Sequence, residues 1–444
     1  MKKIFTILLL SGSLLMSGCS DWLDILPKDK QSTDMYWESS EDVEAILAQG
    51  YSRLRTCVPY IINWGELRGS SVIVPGRGTK TGLIQNFQVL PSTSTVQWGT
   101  FYQVIGMANA VLKYAPTVMD KDASYYESRM NSHLTEAYFL RGLSYLYLVR
   151  NFREVPLITV DDAMPNDVAK SSETEILELI KSDVRAALAT NAAKETFDGT
   201  WATKGRATKW ALYALMAETC LWAEEYEECV TYADYLINAT AAMRPVFMST
   251  PGQWFNMFYP GNSNESIFEI QYDETNYAQG SGSPSKVFPY GTDVTIDSYM
   301  YSEPMTLRLI EEYTQHRGDE ISRTYYGSFA GTAYASYPDN GIIWKYSGMG
   351  VADREAVRTI QDANYIIYRM ADVMLMKAEA LIRIGGSANW TEALSIINQI
   401  RERSELNPRS EVSADNINEA TEEMLLEMLL DERDMEFAAE GKRW

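Results

Sequence analysis

Cys19 carries the most decisive chemistry in this chain. Lys2 and Lys3 precede the apolar run Ile4 to Leu10, and Leu14-Leu15-Met16-Ser17-Gly18 leads directly into the cysteine. A secretory leader whose cleavage point ends at a cysteine is a lipid-attachment signal: the thiol takes a diacylglycerol, the chain is cut before it, and the new amino terminus is acylated. Two or three acyl chains, at about 0.8 kcal/mol per buried methylene, anchor such a chain durably. Residues 1–18 therefore read as a signal peptide and Cys19 as the lipid-bearing residue, with Met16 where leucine is usual. The leader's apolar run is too short to span a bilayer, and no later stretch approaches about 20 apolar residues.

Catalytic patterns are missing from the rest of the sequence. The two histidines, His133 and His316, have no partners at metal-ligand spacing. No G-x-S-x-G elbow or phosphate-binding glycine loop occurs. Carboxylates are plentiful, but nothing marks two of them as an acid–base pair. Asp120, Asp122 and Glu127 lack the glycine and spacing of a calcium loop. The expectation is a non-enzymatic protein with no cofactor and no metal. Its formal charge of −21 argues against nucleic acid and against electrostatic adsorption to anionic lipid. Beyond Cys19, Cys57, Cys220 and Cys229 remain. Cys220 and Cys229 could bridge across a helix pair, although small buried thiols at a tight helix contact are the commoner outcome.

Flat aromatic faces are abundant instead, with 28 Tyr and 11 Trp. Such faces stack on sugar rings, while amides, carboxylates and guanidinium groups bond the hydroxyls. The aromatics without helical periodicity fall in two irregular stretches, about 59–96 and 246–346, rich in Gly, Ser, Thr and Pro. The first offers Trp64, Arg77, Asn86 and Phe87; the second offers Tyr290, Tyr299, Tyr301, Tyr325, Tyr326, Tyr337 and Trp344. Each alone is more often a loop-packing residue, and at least two of the set are expected to line a ligand. Trp98 reads as a core wedge, in helical register with Phe101, Tyr102 and Ile105.

The elements that must position these groups are helical. Residues 41–55 carry apolar positions at helical spacing, with acids in front and arginines behind, as the macrodipole prefers. Residues 131–150 are apolar nearly all round, and Ser172 with Glu175 has capping-box spacing. Residues 206–240 and 368–403 each place an Ala- and Leu-rich helix before a short break and a second amphipathic helix. Each has an aromatic (Tyr226 or Trp390) three residues ahead of a small residue (Cys229 or Ala393). That is tetratricopeptide-like spacing, and 131–190 reads as a more divergent third pair. The predicted fold is mainly α, with tetratricopeptide-like helix pairs, a long irregular aromatic-rich segment and a few short strands, one over Ser266 to Ile270.

Several blocks together resemble SusD/RagB-like lipoproteins. These are Trp98-x-x-Phe101-Tyr102-x-x-Ile105, Glu136-Ala137-x-Phe139-Leu140-Arg141, Arg153-Glu154-Val155-Pro156-Leu157 and Gly205-Arg206-Ala207-Thr208, then Asn264 to Glu269, Tyr368 to Val373 with Lys377 to Ala380, and Glu432 to Phe437 with Glu440 to Trp444. The acidic Ser20 to Asp24 behind Cys19 also resembles a signal for export to the outer face of the outer membrane. The resemblance implies one substrate-binding domain over 19–444, non-catalytic, anchored through its lipid and facing the cell exterior. It implies capture of oligosaccharides, or of peptides in some members, for a SusC-like TonB-dependent barrel. A tetratricopeptide scaffold binding another protein is the alternative from a different class. Ser70 departs from the acid common after Glu66-x-Arg68, and the chain stops at Trp444 inside a block the family continues, as a shortened chain would.

Overall fold

The computed structural model describes residues 36–75, 80–90, 92–159, 168–273, 282–288, 298–315, 317, 323, 341–350, 356–413 and 415–443. Ten long helices run through it: α1 (Ser40–Glu66), α2 (Gly99–Met119), α3 (Glu127–Phe152), α4 (Glu173–Ala189), α5 (Lys209–Trp222), α6 (Tyr226–Ile237), α7 (Glu303–Thr314), α8 (Met370–Ile384), α9 (Ser387–Arg403) and α10 (Glu422–Glu436). From α1 to α6 each helix packs on the next; α8 continues the series against α6, and α9 and α10 close over α8. The three helix pairs expected from sequence are α3/α4, α5/α6 and α8/α9. No helix among the described residues is long and apolar enough to cross a membrane.

Local signals set the helix ends. Asp42 accepts from the Ser39 backbone N–H at 2.8 Å, and Ser172 and Glu175 form the expected capping box. Ala393 is fully buried in α9, as the pair packing requires. Cys220 and Cys229 are free, buried thiols, Cys229 lying 3.9 Å from the Met376 carbonyl across the α6–α8 contact. His133 is satisfied between the Tyr125 hydroxyl at 2.9 Å and Glu44 at 3.0 Å.

Helix α1 corrects the sequence boundary. It runs through Pro59 to Glu66, into the stretch expected to be irregular. The buried stripe Leu54, Cys57, Val58, Ile61 and Ile62 continues the helical periodicity past the proline. Proline frees the carbonyl one turn earlier from its helix partner. Here that carbonyl, on Arg55, accepts from the Tyr272 hydroxyl at 3.3 Å.

Among the described residues, three short antiparallel ribbons join the helices. They are β1 (Val72–Ile73) with β5 (Met300–Tyr301), β2 (Val155–Pro156) with β3 (Lys170–Ser171), and β4 (Ser266–Ile270) with β6 (Tyr365–Arg369). Strand β4 falls where alternation placed it. Its partner β6 hides in sequence as the apolar lead-in to α8, every residue of both strands being buried.

Arg369, at the end of β6, sits in a buried ionic cluster. Its guanidinium donates to Glu440 at 2.9 and 3.0 Å, to Glu265 at 3.2 Å, and to Glu436. Arg403 reaches Glu265 at 3.2 Å, Arg323 reaches Glu432 and Glu436 at 2.7 Å each and Glu312 at 3.1 Å, Lys345 reaches Glu440 at 3.0 Å, and Arg401 reaches Glu432 at 3.3 Å. Arg323, Lys345, Arg369, Arg401 and Arg403 thus face Glu265, Glu312, Glu432, Glu436 and Glu440, so the charges balance. The cationic neighbours hold Glu436 well below the usual carboxylate range despite its burial.

Truncating Arg369 to Met should leave Glu440 buried without its main partner and Glu436 without one of its three, and cost about 3–5 kcal/mol, read as a lower melting temperature. Wild-type stability in that variant would contradict the cluster's structural role. Glu66, buried at the end of α1, accepts from the Gly441 N–H at 2.6 Å, and burial pushes its carboxyl up to about 7 from 4.5. The folded state then binds a proton more tightly than the unfolded chain. Its contribution is full below about 4.5 and lost as pH rises through about 7. Glu66→Gln should therefore gain stability relative to wild type between pH 5 and pH 8 in thermal unfolding; a pH-independent difference would contradict this.

Candidate functional site

Five of the expected ligand residues, Arg77, Tyr290, Tyr325, Tyr326 and Tyr337, lie outside the described residues, as does Cys19. Trp64 and Trp344 are corrected to packing residues. Trp64 is 4% exposed; its indole N–H donates to the Thr95 carbonyl at 2.9 Å, and its ring stacks 5.4 Å from Phe101. Trp344 is fully buried, donates to the Gly350 carbonyl at 2.7 Å, and lies so close to Gly348 that a Cβ there would meet its ring at 2.2 Å. Tyr301 is likewise buried. Tyr299 is half-buried, its hydroxyl bonded to Asn63 and its ring edge-on to Phe288 at 5.7 Å. Asn86 and Phe87 are exposed on the turn after the short helix Lys80–Gln85, Phe87 at φ 55°.

A large cleft among the described residues lies elsewhere. A cavity of 870 Å³ opens between α1, the segment 201–206, and the adjoining ends of β4 and β6. Helix α1 contributes Glu44, Ala48, Tyr51, Ser52 and Arg55, a stripe at helical spacing. Phe268 and Ile270 of β4, with Leu47 and Leu54, add an apolar floor. Asn262, Gln271, Asp362 and Asn364 supply polar atoms at the rim.

Trp201 is the exposed aromatic of this cleft, at 64%. It lies in the short helix Thr200–Gly205, entered through Gly199 at φ +87°. Gly205 lets that helix close on the rim, because a Cβ there would stand 2.6 Å from the Gln271 side chain. The sequence signal for Trp201 is slight: an aromatic shortly after Gly199, just ahead of the Gly205 to Thr208 block.

Glu44, Arg206 and Asp362 at the cleft are already in ion pairs. Arg206 donates to Glu136 at 2.7 and 2.9 Å and pairs with Glu44 at 2.7 Å. The hydrogen bond from His133, then Arg206, hold the Glu44 carboxyl down at about 2. Tyr51 donates to Glu136 at 2.7 Å, and its phenol is pushed well up by burial. Arg55 donates to the Gln271 carbonyl at 2.8 Å and lies 5.8 Å from the Tyr272 ring centre. Asp362 pairs with Arg358 at 2.6 Å. The amides also fix one another: Asn364 donates to Gln271 at 3.0 Å and to Glu269 at 2.8 Å, and Gln271 donates to Asn262 at 2.8 Å.

A site so arranged has an apolar floor, an open indole face and a rim of oriented amides. It suits a neutral, hydroxyl-bearing ligand. An ion entering it would lose its hydration at walls where Glu44, Arg206 and Asp362 already have ionic partners. Elsewhere, Cys220, Glu225 and Glu228 gather within 4.8 Å of one another as a possible metal set. Lys181 already pairs with Glu225 at 2.5 Å and Arg185 with Glu228 at 2.8 Å, so that cluster is neutralised from within.

Known proteins share this architecture. Residues 319–444 match the model of the SusD family, and residues 21–221 match a SusD-like model described as "starch-binding associating with outer membrane". A SusD-like protein of Formosa agariphila is 29% identical, over 100% of this chain and 91% of its own length. A SusD superfamily protein of Bacteroides thetaiotaomicron superposes with a TM-score of 0.73 at 21% identity, covering 92% of this chain and 89% of its own. The surface glycan-binding protein A of the same organism, solved in complex with laminarihexaose, superposes with a TM-score of 0.69 at 17% identity over 91% and 89%. With the helix order, the buried C-terminal block and these matches in agreement, the chain belongs to the SusD/RagB-like family.

Proposed function

We propose that this protein captures oligosaccharides at the outer membrane, holds them in the α1 cleft against Trp201, and passes them to a SusC-like TonB-dependent barrel. One observation carries the reading: an exposed indole stands at a large cleft whose Glu44, Arg206 and Asp362 are already held in ion pairs with the protein itself. Neutral sugars are bound by flat apolar faces and oriented amides, without an ionic contribution. A laminarin-binding SusD-like protein and the laminarihexaose complex share the fold, which supports saccharide as the ligand class. In this reading Cys19 bears the lipid that keeps the domain at the membrane, and the barrel is the receiver that the family resemblance suggests.

Binding should be weak and nearly independent of salt, because no counter-ion is released when a neutral ligand enters. Trp201→Ala should weaken binding of laminarihexaose, or of whichever neutral oligosaccharide in a panel binds the wild type, about tenfold by calorimetry, through loss of the stacking face. Unchanged affinity would move the site out of the cleft.

The anchor is tested separately. Cys19→Ala should move the protein out of the outer-membrane fraction or leave its leader uncut. A wild-type mature protein that begins elsewhere and carries no acyl chain in mass spectrometry would contradict the lipid assignment. Co-purification of a TonB-dependent barrel with the wild type tests the delivery step.

A further inference from the structure

The α5/α6 pair carries a second aromatic group, which the cleft does not use. Trp210 and Tyr213 on α5 have ring centres 6.2 Å apart. Tyr213 lies 6.1 Å from Tyr232 and 5.2 Å from Tyr235 on α6, and those two lie 5.5 Å from each other. Trp210 is the buried end of this chain of rings, Tyr213 and Tyr232 are half-buried, and Tyr235 is 51% exposed. Scattered exposed aromatics need no explanation, whereas a contiguous group that reaches the surface marks an interaction site.

Its surroundings select the partner chemistry. Among the described residues, the hydroxyls of Tyr232 and Tyr235 make no hydrogen bond, so both are free to meet a ligand's hydroxyls. The nearest cations are engaged: Lys209 pairs with Glu195 at 3.4 Å and lies 5.6 and 5.8 Å from the Trp210 and Tyr213 ring centres, and Arg185 pairs with Glu228 at 2.8 Å. Glu224, Glu225, Glu227, Glu228 and Asp234 make this part of the chain acidic, which disfavours nucleic acid and anionic lipid. The rings stand on two packed helices, so little freedom is lost when they are covered. Interplanar angles of 44° for Tyr213 and Tyr235 and 85° for Tyr232 and Tyr235 make a corrugated surface, suited to a chain whose successive rings turn.

We infer that Tyr213, Tyr232 and Tyr235 form a second saccharide-stacking surface, which takes neutral glycosyl rings of a polymeric glycan. The inference rests on the saccharide reading above but concerns a different face. A surface of this size binds a short sugar weakly, and its effect appears when one polymer engages two sites, because the second contact is then intramolecular.

The test uses the full-length chain in detergent, run through native gels containing laminarin or another neutral polysaccharide that retards the wild type. Tyr232→Ala/Tyr235→Ala should reduce that retardation at least threefold, with helical circular dichroism and calorimetric affinity for the short oligosaccharide unchanged. Tyr232→Phe/Tyr235→Phe keeps the ring faces and should restore most of the retardation. Wild-type retardation of the alanine pair, at intact helicity, would overturn the second surface while leaving the cleft reading in place. If no neutral polysaccharide retards the wild type, the second surface falls together with the saccharide reading; if retardation is lost with the helicity, the rings serve packing and the inference is overturned.

Discussion

The buried pairing of Arg369 with Glu436, Glu440 and Glu265 is the constraint on which the rest of this structure depends. A guanidinium that leaves water must be met by carboxylates with good geometry, or the fold does not form around it. Arg369 ends β6 and caps the start of α8, Glu265 precedes β4, and Glu436 and Glu440 come from the end of α10 and just beyond. One side chain thereby fixes the β4/β6 ribbon, the α8/α9 pair and the C-terminal segment relative to one another. The C-terminal block that is recognisable in sequence as Glu432 to Phe437 and Glu440 is thus a set of counter-ions for the interior, and no ligand contact is needed to explain it.

The cleft follows from that arrangement. The C-terminal end of β4 carries Ile270 and leads into Gln271 and Tyr272, and those residues dock on α1 where Pro59 leaves the Arg55 carbonyl open. Arg206 ties the other side of the cleft to α1 and α3 through Glu44 and Glu136. The same ion pairs that hold the walls also consume their charge. Structural need and ligand choice coincide here: the walls are rigid because they are paired, and neutral toward a ligand for the same reason.

Much of the architecture was legible in the sequence because periodicity reports packing directly. The pairs α3/α4, α5/α6 and α8/α9, the Ser172 cap and strand β4 all carry local signals that survive without tertiary information. The site was less legible. Trp64 and Trp344 looked free because glycines and prolines surround them, yet Trp64 continues the buried stripe of α1 past Pro59, and Trp344 packs against Gly348. Trp201 carries no such signal, because its short helix is seated on the cleft where Gly205 meets Gln271, 66 residues along the chain, a contact that no local pattern encodes. Aromatic content indicates that stacking faces exist; only the packing decides which of them reach solvent.

Hydrogen–deuterium exchange of the full-length protein, with and without a bound neutral oligosaccharide, tests the central claim most directly. Added glycan should slow exchange in residues 44–55 of α1 and in 199–206 around Trp201, the two walls of the cleft. Protection confined to 76–91 and 289–344, with both cleft walls unchanged, would contradict it.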